Sequence, residues 1–161
     1  MISNPRYQIY EIGLTELIGK DEQVDQDDYG GSVAILLGDG VRPASGEFLS
    51  FTLVTKETGT GSVLTPAGIL LLFDADPAVT AGDTALTLGV MNYCIGRVDV
   101  KATDWHSDAN GAVACKSSPP IPFHTLTTIY AIWFHEDATS FNDAGGDDEY
   151  LSFNAWYRRD T

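Results

Sequence analysis

Three aspartates, Asp74, Asp76 and Asp83, fall in one polar stretch directly after an apolar run. Carboxylate oxygens gathered in a loop are the hard ligands that calcium takes. The local sequence Asp-Ala-Asp-Pro lacks both the glycine and the closing bidentate glutamate of an EF-hand loop, and aspartates in such places equally cap their own turns. A second acidic group, Asp143, Asp147, Asp148 and Glu149, surrounds Gly145 and Gly146 and reads as a hydrated turn rather than a converging ligand set. His106, His124 and His135 sit in three separate segments, without the close ligand spacing of a zinc site. His124 and His135 each adjoin apolar strand residues and are expected to be strand-end groups with satisfied hydrogen bonds.

Nucleophilic and phosphate-handling motifs are missing. There is no Gly-x-Ser-x-Gly, no phosphate-cradling glycine loop and no His-Glu-x-x-His. A pair of carboxylates across a groove could cleave a glycoside on a jelly-roll scaffold, but no particular pair stands out. No residue is therefore assigned as catalytic, cofactor-binding or metal-ligating, and no cofactor is expected. Cys94 and Cys115 lie in segments that read as strands and could face each other across a sheet. With no secretory signal in the sequence, reduced and buried thiols are the expectation. Trp133 and Trp156 sit among apolar strand residues and are expected in the core or an interface, whereas Trp105 lies in a polar loop and is expected to be partly exposed, where it could serve as a sugar platform.

The whole chain limits these choices further. Its 161 residues are 43% hydrophobic and 11% aromatic, which suits one globular domain. The formal charge of −14 repels phosphate and argues against nucleic acid as a partner. The longest apolar run, residues 68–73, is far short of the roughly 20 residues of a membrane helix.

The segments that would position any site are short and strand-like. Residues 7–11 suit a strand, and 14–18 suit either a strand or a helical turn. Residues 20–28 are nearly devoid of apolar side chains, and their like charges predict a mobile loop or arm. The chain thus divides into an N-terminal arm or edge segment with an acidic linker, 1–28, and a single domain, 29–161.

Residues 32–37 form an apolar strand that ends at Gly38-Asp39-Gly40. Residues 47–56 alternate, with Leu49, Phe51, Leu53 and Thr55 as the cleaner core face and Phe48, Ser50, Thr52 and Val54 opposite. Gly59-Thr60-Gly61 marks a turn. The continuous apolar run 68–73 predicts a strand that is central or covered on both faces. A short helix is allowed near Asp83 or Thr84 as N-cap. Residues 92–102 carry the best period-two pattern, with Gly96 suggesting a bulge. Residues 104–111 read as a loop ending in the hairpin signal Asn110-Gly111. Strand 111–116 is broken by Ser117-Ser118-Pro119-Pro120, and 121–124 is a further short strand. Strands 127–135 and 150–158 are expected to form a C-terminal hairpin around the acidic loop. Eight to ten short strands with turn signals every 8–12 residues predict an all-β fold, an antiparallel β-sandwich or jelly roll with little helix.

Several stretches together resemble a known class. They are Phe73-Asp74-Ala75-Asp76-Pro77 with Ala81-Gly82-Asp83-Thr84-Ala85, Asp104-Trp105 with Ser107-Asp108-Ala109-Asn110-Gly111, Pro122-Phe123-His124, and Ile129-Tyr130-Ala131-Ile132-Trp133-Phe134. Asp143-Ala144-Gly145-Gly146-Asp147-Asp148-Glu149 and Trp156-Tyr157-Arg158-Arg159 complete the set. The assembly resembles small virion-associated proteins of tailed bacteriophages, of the kind that decorate or cement the head, over about residues 68–159. The resemblance implies a β-sandwich knob on the outer capsid surface, assembled in the host cytoplasm. Its implied partners are the major capsid protein and further copies of itself, with a trimer favoured, and not nucleic acid or membrane. It brings no catalytic residues. The alternative is a carbohydrate- or ligand-binding sandwich with calcium in its loops, and a jelly-roll hydrolase is a third.

Overall fold

A computed structural model describes residues 7–19, 22–57, 63–109, 111–138, 140–141 and 149–160. Among them the strands are β1 (Tyr7–Ile18), β2 (Val33–Leu36), β3 (Ala44–Glu57), β4 (Gly68–Phe73), β5 (Cys94–Val100), β6 (Trp105–Ser107), β7 (Gly111–Leu126), β8 (Thr128–His135) and β9 (Glu149–Asp160). Helix α1 (Leu88–Met91) is a single turn. One sheet has the order β1-β9-β3-β7-β6 and the other β2-β8-β4-β5, with every pairing antiparallel. The protein is an all-β antiparallel sandwich with almost no helix.

The inner faces meet in one hydrophobic core. The five-stranded sheet supplies Phe48, Phe51, Leu53, Phe123, Phe153 and Tyr157, and the four-stranded sheet supplies Ile35, Leu70, Leu72, Val98, Ile129 and Trp133. Phe48 is the hub of the aromatic part: its ring centroid lies 5.3 Å from Phe123 and 5.7 Å from both Phe51 and Tyr157. Each fully buried ring contributes roughly 1.5–3 kcal/mol of transfer free energy, so this cluster is a main source of the sandwich's cohesion. The Tyr157 hydroxyl sits at its margin and accepts a 2.7 Å hydrogen bond from the Gly38 N–H, pinning the Gly38–Gly40 turn to the core. Burial raises the Tyr157 pKa, against the opposing effect of that backbone bond.

Bulges explain where simple alternation misreads the core face. Phe48 pairs with Tyr157 and Ser50 with Trp156, so Leu49 is an extra residue in β3. It resets the phase and turns Phe48 as well as Phe51 inward, while Leu49 is only half-buried. On the other side of β3, Phe48 faces Ile121 and Ser50 faces Ser117. Ser117-Ser118-Pro119-Pro120 is thus an irregularity inside one continuous strand, not a strand end. Prolines are tolerated where the ladder is already interrupted. In β5, Leu72 pairs with Gly96 and Phe73 with Cys94, so the bulged residue is Ile95. Gly96 is required beside it, because a Cβ there would lie 2.4 Å from Ile121 Cγ2.

The expected C-terminal hairpin does not form. Strand β8 lies between β2 and β4 in one sheet, and β9 lies between β1 and β3 in the other. Both are interior strands, so each takes its partners from distant parts of the chain, and sequence proximity does not set the pairing. Most of the acidic loop between them, including Asp143, Gly145, Gly146, Asp147 and Asp148, lies outside the described residues. So do Lys20, Asp21, Gly59, Thr60, Gly61 and Asn110.

Four further segments bear on the expectations. Residues 14–18, for which strand and helical turn are both open in the sequence, continue β1 as an edge strand against β9. The described part of the acidic linker is tied to the sandwich: Val24 is fully buried and exchanges two 3.0 Å backbone bonds with Phe141, and the Asp27 N–H donates to the His135 carbonyl at 2.8 Å. One apolar side chain with a ladder partner outweighs the repulsion that suggests a mobile loop. The helix starts later than expected, with Thr87 rather than Asp83 or Thr84 at its N-cap. Part of the loop expected at 104–111 is strand β6, which pairs with β7.

Candidate functional site

The acidic side chains serve the turns. Asp76 Oδ1 accepts from the Ala78 N–H at 2.8 Å and from the Ser32 hydroxyl at 3.0 Å, and Asp83 Oδ2 accepts from the Thr80 N–H at 2.8 Å. Asp39 Oδ1 accepts from the Val41 and Arg42 N–H groups, each at 3.0 Å. The Arg42 and Val41 bonds lower the Asp39 pKa. Among the described residues no three His, Cys, Asp or Glu side chains come together as a metal site.

The histidines do not converge either. His106 and His124 are exposed. His135 is fully buried at the end of β8, where its Nδ1 accepts from the Trp133 indole N–H at 3.4 Å and its Nε2 faces Asp137 Oδ1 at 3.3 Å. Asp137 Oδ2 accepts from the Ala67 N–H at 2.7 Å, so the chain of polar groups ends on backbone. This satisfies buried polar atoms next to the largest core side chain.

The cysteines are free, as the sequence suggests, but both are exposed. Cys94 lies on β5 and Cys115 on β7, in different sheets. Trp156 also departs from expectation, standing 41% exposed on the outer side of the five-stranded sheet, out of phase with the inward Ala155 and Tyr157. Trp105 is half-buried, and its indole N–H donates to the Pro66 carbonyl at 2.8 Å.

Register places the remaining side chains on two contrasting outer surfaces. On the five-stranded sheet Ser50, Ser117 and Trp156 share one row, and Thr52, Cys115 and Asn154 the next. Glu11 accepts from the Asn154 amide at 2.7 Å, and Arg158 is ion-paired with Glu47. That surface is mostly polar, as expected of an antiparallel sheet with one wet face.

The four-stranded sheet is different. Ile69 is opposite Phe134, Leu71 opposite Ile132, and Phe73 opposite Tyr130, all pointing away from the core side that holds Leu70, Leu72 and Trp133. The expectation of a run covered on both faces is thus met for 68–73 by its central position and by the segment 74–93 that passes over it. Cover is incomplete. A groove of about 380 Å³ remains, with Ile69, Leu71 and Phe73 as floor and Tyr29, Leu86, Met91 and Phe134 among its walls. Tyr29 is held there by backbone bonds with Asp83 and Gly82, 2.8 and 2.9 Å long. Burial against these apolar neighbours raises its pKa. Beside the groove Leu88 is 83% exposed, Met91 48% and Tyr93 49%. No periodicity rule singles out this surface, because its cover comes from a loop; the sequence shows the apolar run 68–73 that forms its floor but not the groove itself.

A second cleft, about 410 Å³, lies where the edge strands β1 and β2 come together, lined by Glu16, Leu17, Gly19, Glu22, Gly31, Ser32 and Val33. Glu22 Oε2 accepts from the Gly19 N–H at 2.8 Å, so one of its two carboxylates is engaged by its own loop.

No protein-family model matches the chain. No curated protein sequence matches it either. Among solved structures, it is distantly similar to chains of virus particles. A Cocksfoot mottle virus chain is 9% identical with a TM-score of 0.32, covering 99% of this chain and 86% of that one. An Israeli acute paralysis virus chain from a heated full particle is 11% identical with a TM-score of 0.34, covering 96% and 71%. A chain of that virus's pentamer is 13% identical with a TM-score of 0.32, covering 96% and 88%. At these scores the likeness goes no further than a strand-rich sandwich.

Proposed function

We propose that the protein is a non-enzymatic virion structural protein of a tailed bacteriophage that decorates the head by binding the major capsid protein lattice. The observation that carries this reading is the apolar, incompletely covered outer face of the four-stranded sheet. Half-buried Ile69, Leu71 and Phe134 beside exposed Met91 leave apolar surface open to a partner, and a knob on a shell needs such a face more than it needs a pocket of reacting groups. The sequence resemblance over residues 68–159 supports the same assignment. In this role the protein sits on the outer capsid surface as a homo-oligomer, with a trimer favoured, and needs neither cofactor, nucleic acid nor membrane. Co-sedimentation with assembled heads tests it; a protein that stays in the supernatant with heads that lack it would sink the idea.

One observation favours a second reading, a carbohydrate-binding module. Trp156, Ser50, Thr52 and Ser117 line a shallow recess of about 300 Å³ on the polar outer face. An exposed ring beside hydroxyls is a platform of the sugar-binding kind. Glycan-array binding that Trp156→Ala abolishes would favour this reading over the first.

A further inference from the structure

We infer that the groove on the outer face of the four-stranded sheet is a socket for an apolar anchor side chain carried on a lysine- or arginine-flanked segment of a different protein. This rests on the reading above only for the identity of that protein, the major capsid protein. The volume of about 380 Å³ is near the lower end of ligand pockets, enough for an anchor residue and its neighbours but not for a packed helix face. The floor is strand-borne and rigid, formed by Ile69, Leu71 and Phe73, and interface hot spots favour such well-packed pockets.

The charge around the groove selects the flanks. Asp83 holds the Tyr29 backbone, Asp99 is opposite Ile69, Asp74 follows Phe73, and Glu136 lies two residues beyond Phe134; all four are exposed. Arg97 is a cation in the groove wall, and it is ion-paired with Asp99. The Asp99 hydrogen bond raises the Arg97 pKa, with Glu136 adding to the effect. These carboxylates flank the groove rather than line it, and among the described residues next to it they outnumber Arg97, the cation of the lining. A second copy of this chain would bring an identical acidic rim and a further formal charge of −14. Like charges set face to face oppose such pairing, whereas a basic segment is steered inward and held.

Two fluorescein-labelled peptides test this. In one, Leu-Trp-Leu is flanked on each side by two lysines; in its twin, glutamates replace the lysines. Cys94 lines the groove and is exposed, so in a Cys115→Ser background a bulky maleimide on Cys94 fills the socket without altering a core residue. Fluorescence anisotropy should give a dissociation constant on the order of 10 µM for the basic peptide, and binding at least about tenfold weaker for the acidic twin. Capping Cys94 should abolish binding, and Glu136→Lys should weaken it about threefold. Equal binding of the twins, or binding that survives the cap, overturns the proposal. So does a concentration-dependent dimer that the cap dissolves, since it would make a second copy the occupant. Head co-sedimentation separates the two readings. Head binding that survives the cap removes the socket and leaves the decoration role, whereas peptide binding without head binding does the reverse.

Discussion

Tyr29 leans on Phe134 with ring centroids 4.8 Å apart and planes tilted by 41°. Tyr29 lies outside the named strands, whereas Phe134 is near the end of β8 on the outward face of its sheet. The pair joins the acidic N-terminal segment to the four-stranded sheet and forms one wall of the groove. Aromatic pairs of this kind contribute about 0.5–1.5 kcal/mol beyond their area.

Tyr29→Ala should therefore lower unfolding stability by about 1–2 kcal/mol, read from urea denaturation, and should also weaken capture of the basic peptide. Loss of stability with unchanged capture would show that the ring is structural and not part of the contact.

Gly68 and Gly89 should respond oppositely to alanine. A Cβ on Gly68 would stand 2.3 Å from the Phe134 carbonyl oxygen and 2.4 Å from Trp133 Cζ2, both held in the sheet and core. Gly68→Ala should cost about 3 kcal/mol through overpacking. Gly89 is in α1, with nothing within 4 Å of the added Cβ, and Gly89→Ala should be neutral or stabilise by up to about 1 kcal/mol. Thermal melts of the two variants check both signs.

Acid sensitivity should trace in part to Asp104. Its Oδ2 accepts from the Lys116 ammonium at 2.7 Å and from the Lys101 N–H at 2.8 Å, and these bonds, Lys116 first, lower its pKa. A carboxylate whose folded pKa is depressed stabilises fully above its unfolded value, near 3.9, and less as pH falls through the folded value. Asp104→Asn should cost about 1 kcal/mol at neutral pH, given the pair's partial exposure. The difference from wild type should shrink below about pH 4. A gap that stays constant to pH 2 would contradict this assignment.

Replacing His135 tests the buried polar chain. His135→Ala deprives the Trp133 indole N–H and one Asp137 oxygen of this partner and opens a cavity in a fully buried position. A loss of about 2–4 kcal/mol is expected in chemical denaturation. A loss below about 1 kcal/mol would mean that the network is dispensable.

Much of the sandwich was legible from residue order, and the gaps have physical causes. Alternation in 92–102 and the apolar run 68–73 give β5 and β4 nearly at their observed bounds. Leu49 and Ile95 defeat strict alternation because a bulge shifts phase by one residue. The pairing of β8 and β9 is illegible locally, since each is interior and draws partners from far along the chain. The groove is legible only after folding, because Tyr29, Leu86 and Phe134 come from three separated segments. Acidic residues look like ligands in sequence, yet Asp39, Asp76, Asp83 and Asp104 accept hydrogen bonds from nearby backbone N–H groups.

The most direct measurement of the proposed role is co-sedimentation of the purified protein with assembled bacteriophage heads that lack it. Wild-type protein is expected to pellet with the heads saturably, and protein capped at Cys94 is expected to remain in the supernatant. Wild-type protein that never pellets, at concentrations well above those that saturate the peptide, would contradict the decoration role.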